Sequence, residues 1–190
     1  MTCSDFTCKA NSNQITLKVK RICKVECMAD QEGLDNEPDW LTSDEQDAWV
    51  SLWTVMEWLP GRLDAQLQSD SGLSLAEYNA LSQISMAPEA TIRLSELAVL
   101  ANMKLPHLSR VMTRLEKAGW VTRFPDPSNG RYTLAQLTES GVAKVKEAAP
   151  GHVSAVREYV IGSLSPAQIQ AMTEVNSAIA GAIDAPHVNR

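Results

Sequence analysis

No cysteine occurs after position 27. The four that are present, Cys3, Cys8, Cys23 and Cys27, lie in C-x4-C and C-x3-C spacings at the start of the chain. A disulfide framework for the body is thereby excluded. Structural zinc pairs usually show a tighter C-x2-C arm, and no histidine lies nearby to complete a site, so no metal is expected. Histidine is scarce too: His107, His152 and His187 are scattered. The sequence has no H-E-x-x-H, no G-x-S-x-G and no glycine loop that would cradle a phosphate. Hydrolases, zinc proteases and nucleotide-using enzymes therefore find no support, and the expectation is a non-enzyme without cofactor. No apolar run approaches the ~18 residues of a membrane helix. The first residues lack the charged start and apolar middle of a secretory signal. The expected setting is cytoplasmic, with no membrane partner.

Composition breaks sharply after residue 27, and Met28-Ala29-Asp30 resembles a start. Residues 1–40 are thus expected to form an N-terminal extension, either disordered or a mis-assigned start. A working role for the four cysteines, as a thiol or metal sensor, stays open as an alternative.

Net charge is −6, which at first argues against nucleic acid. The average conceals an asymmetry. Between Thr91 and Leu134 stand seven positive residues (Arg93, Lys104, Arg110, Arg114, Lys117, Arg123, Arg131) against three negative ones (Glu96, Glu116, Asp126). From Met28 to Leu59 there are nine acidic residues and no Lys or Arg. A basic patch on an acidic body suits a phosphate-contacting face. Screening over a Debye length of about 8 Å makes that local charge count for more than the total.

The apolar pattern is helical over most of the chain. Thr42 or Ser43 can cap a helix near Asp44, and Trp49, Leu52, Trp53 and Met56 follow at i, i+3, i+4, i+7. Pro60-Gly61 is expected to kink or restart it. Ser74 with Glu77 forms a capping box for the next helix, whose inner face is Tyr78, Leu81 and Ile84. Thr91–Leu94 fits one short strand. Ser95 is read as the cap of a helix over Glu96–Ala101. Asn102-Met103-Lys104 is a turn. A second helix, about Leu105 to Lys117, buries Leu108, Val111, Met112 and Leu115, and Gly119 stops it. Trp120–Phe124 and Tyr132–Leu137 are strands around a Ser128-Asn129-Gly130 turn. Two prolines should make the connecting loop long, stiff and projecting. Thr138–Gly141 opens a helix to about Ile161, expected to be interrupted at Pro150-Gly151. Ser165-Pro166-Ala167-Gln168 starts the last helix, striped by Ile169, Met172, Asn176, Ile179 and Ile183.

Two helices at a tight turn followed by a basic hairpin make a winged helix-turn-helix. The fold class expected is mainly α with a small β-wing (α+β). Such a unit sets its second helix in a DNA major groove and its hairpin in the adjacent minor groove. The outward face of the second helix then offers Lys104, Pro106, His107, Ser109, Arg110, Thr113 and Arg114. The hairpin offers Arg123, Ser128, Asn129 and Arg131. Arginine suits guanine edges or phosphate, and Arg131 suits a narrow A·T-rich minor groove. Within its own helix Arg114 has no good acidic partner at i±3 or i±4, which leaves it for DNA.

The ordered motifs resemble the MarR family of bacterial regulators. They are Gly72-Leu73-Ser74-Leu75-Ala76-Glu77-Tyr78, Leu94-Ser95-Glu96-Leu97-Ala98, Leu108-Ser109-Arg110-Val111, Arg114–Val121, and Gly130-Arg131 followed by Leu137-Thr138-Glu139-Ser140-Gly141. The resemblance covers about residues 40–184. It implies a family domain over 41–184, with a DNA-binding lobe at 74–137, dimerisation helices at 41–70 and 138–184, and a tail at 185–190. It implies a homodimer on double-stranded DNA carrying an inverted repeat, acting as a ligand-responsive repressor or, less often, an activator. In such proteins a small-ligand pocket lies between the helices and the DNA-binding lobe. Here Trp49, Trp53, Met56 and His152 are the candidates for binding a small aromatic ligand, with ordinary dimer packing as the alternative use. One departure stands out: family wings carry an acidic residue just before the tip arginine, whereas Asp126 sits earlier. A winged helix used only for protein–protein contact is the remaining alternative function.

Overall fold

The structure, a computed structural model, describes residues 39–185. The four cysteines and most of the acidic arm lie outside the described residues, as does the tail beyond 185. The chain divides into two units, with the boundary between Val55 and Met56.

In the first unit, Thr42 and Glu45 form a reciprocal cap. The Thr42 amide donates to Glu45 at 2.7 Å, and the Glu45 amide donates back to the Thr42 hydroxyl at 3.4 Å. Helix α1, Ser43–Ser71, starts there with Asp44 and Glu45 in its first turn, where the helix dipole favours negative charge. Trp49 and Trp53 pack along it with their rings tilted by 41°, centroids 5.6 Å apart, and both are exposed.

The second unit begins within α1. The expected restart at Pro60-Gly61 does not occur: α1 continues as one helix through Pro60. Proline removes only the donor to the Met56 carbonyl, and that turn faces solvent, where water can replace it. Gly72, at φ 67°, ends the helix. Helix α2, Leu75–Met86, opens with the capping box of Ser74 and Glu77. Strand β1, Thr91–Arg93, leads directly into helix α3, Leu94–Leu100. The cap position is therefore Arg93 and not Ser95, and no side chain caps this helix. Asn102, at φ 49°, makes the tight turn into helix α4, Leu105–Lys117.

Strands β2, Val121–Asp126, and β3, Asn129–Leu137, form the hairpin. The sheet runs β1-β3-β2, all antiparallel, with Ile92 opposite Ala135 and Phe124 opposite Leu134. The long stiff loop expected from the prolines does not form. Pro125 lies inside β2 opposite Thr133, and only Pro127 and Ser128 remain between the strands. β2 is an edge strand, so a missing N–H is tolerated there, and the register shifts at Pro125/Asp126.

Helix α5, Glu139–Tyr159, is capped by the Thr138 hydroxyl and also runs unbroken, through Pro150. The expected interruption is instead a close approach. A Cβ on Gly151 would meet Asp70 and Gln66 of α1 at 3.2 Å. Helix α6, Pro166–Ala182, starts from the capping box of Ser165 and Gln168. Leu73, Leu81, Ile84, Leu97, Leu108, Val111, Met112, Leu115, Val121 and Ala135 form one continuous core that holds α2, α3, α4 and the sheet together. Among the described residues no helix is long and apolar enough to cross a membrane.

Candidate nucleic-acid interface

Helix α4 separates its residues by period. Leu108, Val111, Met112 and Leu115 are buried, and burying four such side chains contributes roughly 1.5–3 kcal/mol each. That anchorage fixes what faces outward. Pro106, His107, Ser109, Arg110, Thr113, Arg114 and Lys117 are all exposed, and Lys104 is exposed at the helix entrance. On the hairpin Ser128, Asn129 and Arg131 are exposed. Arg131 sits two residues into β3, where its amide is held by the Asn129 side chain at 3.2 Å.

The cations fall into distinct groups. Among the described residues Lys104, Arg110, Lys117 and Arg131 have no ion-pair partner. Arg123 differs. Its Nε lies 3.1 Å from Glu116 and its Nη2 also bonds the same carboxylate, while its side chain is mostly covered. Arg123 thus braces β2 against α4, and this pairing holds the Glu116 carboxyl below its ordinary range. Arg114 has an acidic partner after all, from another helix. Its Nε donates to Glu77 of α2 at 2.6 Å.

The wing has its own lock. Asp126 is buried, accepting from the Ser128 hydroxyl at 2.6 Å and from the Ser128 amide at 2.8 Å. It also meets the Arg93 guanidinium at 2.8 Å. The Ser128 bonds chiefly, with Arg93 adding to them, pull the Asp126 carboxyl down to about 2. Arg93 in turn lies over the Tyr132 ring, 4.7 Å from its centroid. The displaced acidic residue of the wing therefore pairs with an arginine of β1, and not with Arg131. Sequence reading passed over Arg93, Glu77 and Tyr132 as site-shaping groups. The only local sign was the capping box, which marked Glu77 as a helix start.

An open cleft of about 900 Å³ adjoins the entrance of α4, lined by Asp64, Leu75, Asn79, Met103, Lys104 and His107, among others. The Leu75 amide donates to Asp64 across it at 2.7 Å. Of the four ligand candidates, Trp49 and Trp53 form the indole pair of the first unit. Met56 is exposed on α1. His152 is half-buried on α5 against Tyr78, centroids 4.6 Å apart. Burial lowers the His152 pKa, and its Nδ1 is buried with no hydrogen-bond partner among the described residues.

The family model described as MarR family matches residues 73–133. The structure is similar to that of Sco3205, a MarR family transcriptional regulator from Streptomyces coelicolor solved in complex with DNA. Identity is 38%, covering 76% of this chain and 94% of that one, with a TM-score of 0.72. It is also similar to AbsC, a MarR family transcriptional regulator from the same organism, at 32% identity. That match covers 78% of this chain and all of AbsC, with a TM-score of 0.73. An HTH-type transcriptional regulator of Mycobacterium tuberculosis, MT0903.1, is 34% identical over 90 residues. The match covers 46% of this chain and 62% of the mycobacterial protein, so it spans less than two thirds of that relative. A winged helix with this element order, matched along nearly the full length of two such regulators, leaves one assignment: the chain belongs to the MarR family of transcriptional regulators.

Proposed function

We propose that this protein is a sequence-specific DNA-binding transcriptional repressor that grips an inverted-repeat operator as a homodimer in the cytoplasm. The observation that carries the reading is a pair of exposed arginines, Arg110 on α4 and Arg131 on the wing, that have no ion-pair partner among the described residues. Arg110 reads base edges in the major groove, and Arg131 enters the minor groove beside it. Lys104, Pro106, His107, Ser109 and Thr113 line the same face, while Ser128 and Asn129 shape the turn of the wing. Sco3205, solved with DNA, supports the reading through its similarity.

The dimer reading rests on apolar surface. In the second unit, Val175 and Ile179 of α6 and Ile183 just past its end are exposed at four-residue spacing. In the first unit, Trp40, Leu41, Trp49 and Trp53 are exposed as well. Side chains of this kind call for cover, and a second copy provides it. Two copies place two α4 helices about 10 bp apart on one side of the duplex. Release by a small aromatic ligand completes the proposal, with the indoles of Trp49 and Trp53 as flat apolar walls.

The test is protection mapping on the DNA upstream of the protein's own gene, followed by titration at low and high salt. Arg110→Ala is expected to weaken or relax half-site choice. Arg131→Ala is expected to weaken binding mainly at A·T-rich flanks. Unchanged affinity for both variants at both salt concentrations rejects the geometry. Aromatic carboxylates or phenols are expected to shift tryptophan fluorescence and DNA affinity together, and failure of both removes the ligand.

A further inference from the structure

Arg110, Arg114 and Arg123 share one region of the surface, yet their surroundings differ in kind. Arg110 has no ion-pair partner among the described residues. Arg123 spends two nitrogens on one carboxylate. Arg114 spends only Nε, on Glu77, and its side chain stays 57% exposed. Its two Nη groups are left without a hydrogen-bond partner among the described residues.

Glu77 cannot swing away from this contact. Its side chain is only 12% exposed. Oε2 accepts from both the Ser74 amide and the Ser74 hydroxyl, at 2.8 Å each, which leaves Oε1 for Arg114. The carboxylate is therefore fixed by the helix it caps. The guanidinium is a planar, rigid fork, so holding Nε on a fixed partner narrows the positions open to the two Nη groups. Arg114 and Glu77 together lower the cost of ordering a long side chain before DNA arrives. The tethered fork suits an invariant target, a phosphate, whereas the untethered Arg110 adapts to base edges.

We propose that Glu77 is a positioning residue for DNA binding: it anchors Arg114 Nε, so that the two Nη groups present as a preset clamp for one operator phosphate. The proposal rests on the DNA-binding reading above.

The decisive variant is Glu77→Gln. A capping box accepts Gln as well as Glu, so α2 keeps its start. Glutamine has one acceptor oxygen where Glu77 uses two, so serving Ser74 turns the amide NH2 toward Arg114 and releases it. Operator affinity is measured across a salt series for wild type, Glu77→Gln, Arg114→Ala, Arg114→Lys and the double variant Glu77→Gln/Arg114→Ala, with Tm recorded for each. Glu77→Gln and Arg114→Ala are each expected to lose about fivefold in affinity and about one unit of the salt slope. The double variant is expected to match Arg114→Ala alone. Arg114→Lys keeps the charge but lacks the Nε anchor, and is expected to lose affinity too. Additive losses in the double variant overturn the proposal, as does an unchanged or raised affinity in Glu77→Gln. Wild-type affinity in Arg114→Lys, which leaves the cap untouched, overturns it as well. If instead the wild type shows no operator preference, the DNA-binding reading itself fails.

Discussion

Arg93 of β1 holds Asp126 of β2 at 2.8 Å although the two stand 33 residues apart in sequence. The pair ties the turn of the wing to the strand that leads into the helix-turn-helix. Asp126→Ala is therefore expected to loosen residues 121–137 while leaving α4 packed. Faster amide exchange confined to the hairpin, with weaker DNA binding, is the expected result.

The same carboxylate carries a pH signature. Its folded-state pKa, about 2, lies below the ordinary aspartate value, so its contribution to stability is full above about 3.9 and is lost as pH falls through the folded value. Carboxyl titration followed by NMR is expected to show Asp126 ionised down to about pH 2, and Ser128→Ala is expected to raise that midpoint.

Arg123 and Arg110 separate bracing from binding. Arg123→Ala removes a partly exposed pair with Glu116, at a cost of no more than about 1 kcal/mol in stability. Its salt slope for DNA is expected to stay near wild type. Arg110→Ala is expected to leave Tm unchanged and to cost about 1–3 kcal/mol in operator binding.

His152 packs against Tyr78 with Nδ1 buried and unpartnered among the described residues. Burial favours its neutral form, so its folded-state pKa lies below the unfolded one. The unfolded chain then binds the extra proton first, and stability is full above about pH 6.5 and declines below it. Thermal melts between pH 5 and 8 are expected to show this fall, and His152→Phe is expected to flatten it.

Gly141 stands where α5 meets the strand end. A Cβ there would run into the Trp120 carbonyl, whose oxygen also accepts from the Thr138 amide at 3.0 Å. Gly141→Ala is expected to destabilise by about 1–3 kcal/mol, read from the denaturation midpoint.

Local features were legible in the sequence. Leu108, Val111, Met112 and Leu115 announced α4 because helical period alone decides which face is buried. The boxes at Ser74/Glu77 and Ser165/Gln168 were legible because both partners lie within one turn. Prolines misled in three places. Pro60 and Pro150 sit on solvent-facing turns, and Pro125 sits on a sheet edge, so each missing N–H is tolerated; exposure of that kind is not written in a local pattern. The pairs that grade the arginines were invisible for a related reason. Arg114 meets Glu77 across 37 residues and Arg93 meets Asp126 across 33, and only the folded core brings them together. The order of elements around the wing was legible from periodicity and turn residues; the family resemblance added what they could not, the expectation of a homodimer and of a ligand pocket.

The most direct test of the account is a measurement of stoichiometry and preference on one duplex. Purified protein is titrated onto its protected upstream site and onto random duplex of equal length, with the mass of the complex determined by sedimentation. The account predicts two chains per site, a preference of at least about 10³-fold over random duplex, and affinity that falls steeply with salt. A single chain per duplex, or equal affinity for both duplexes, contradicts it.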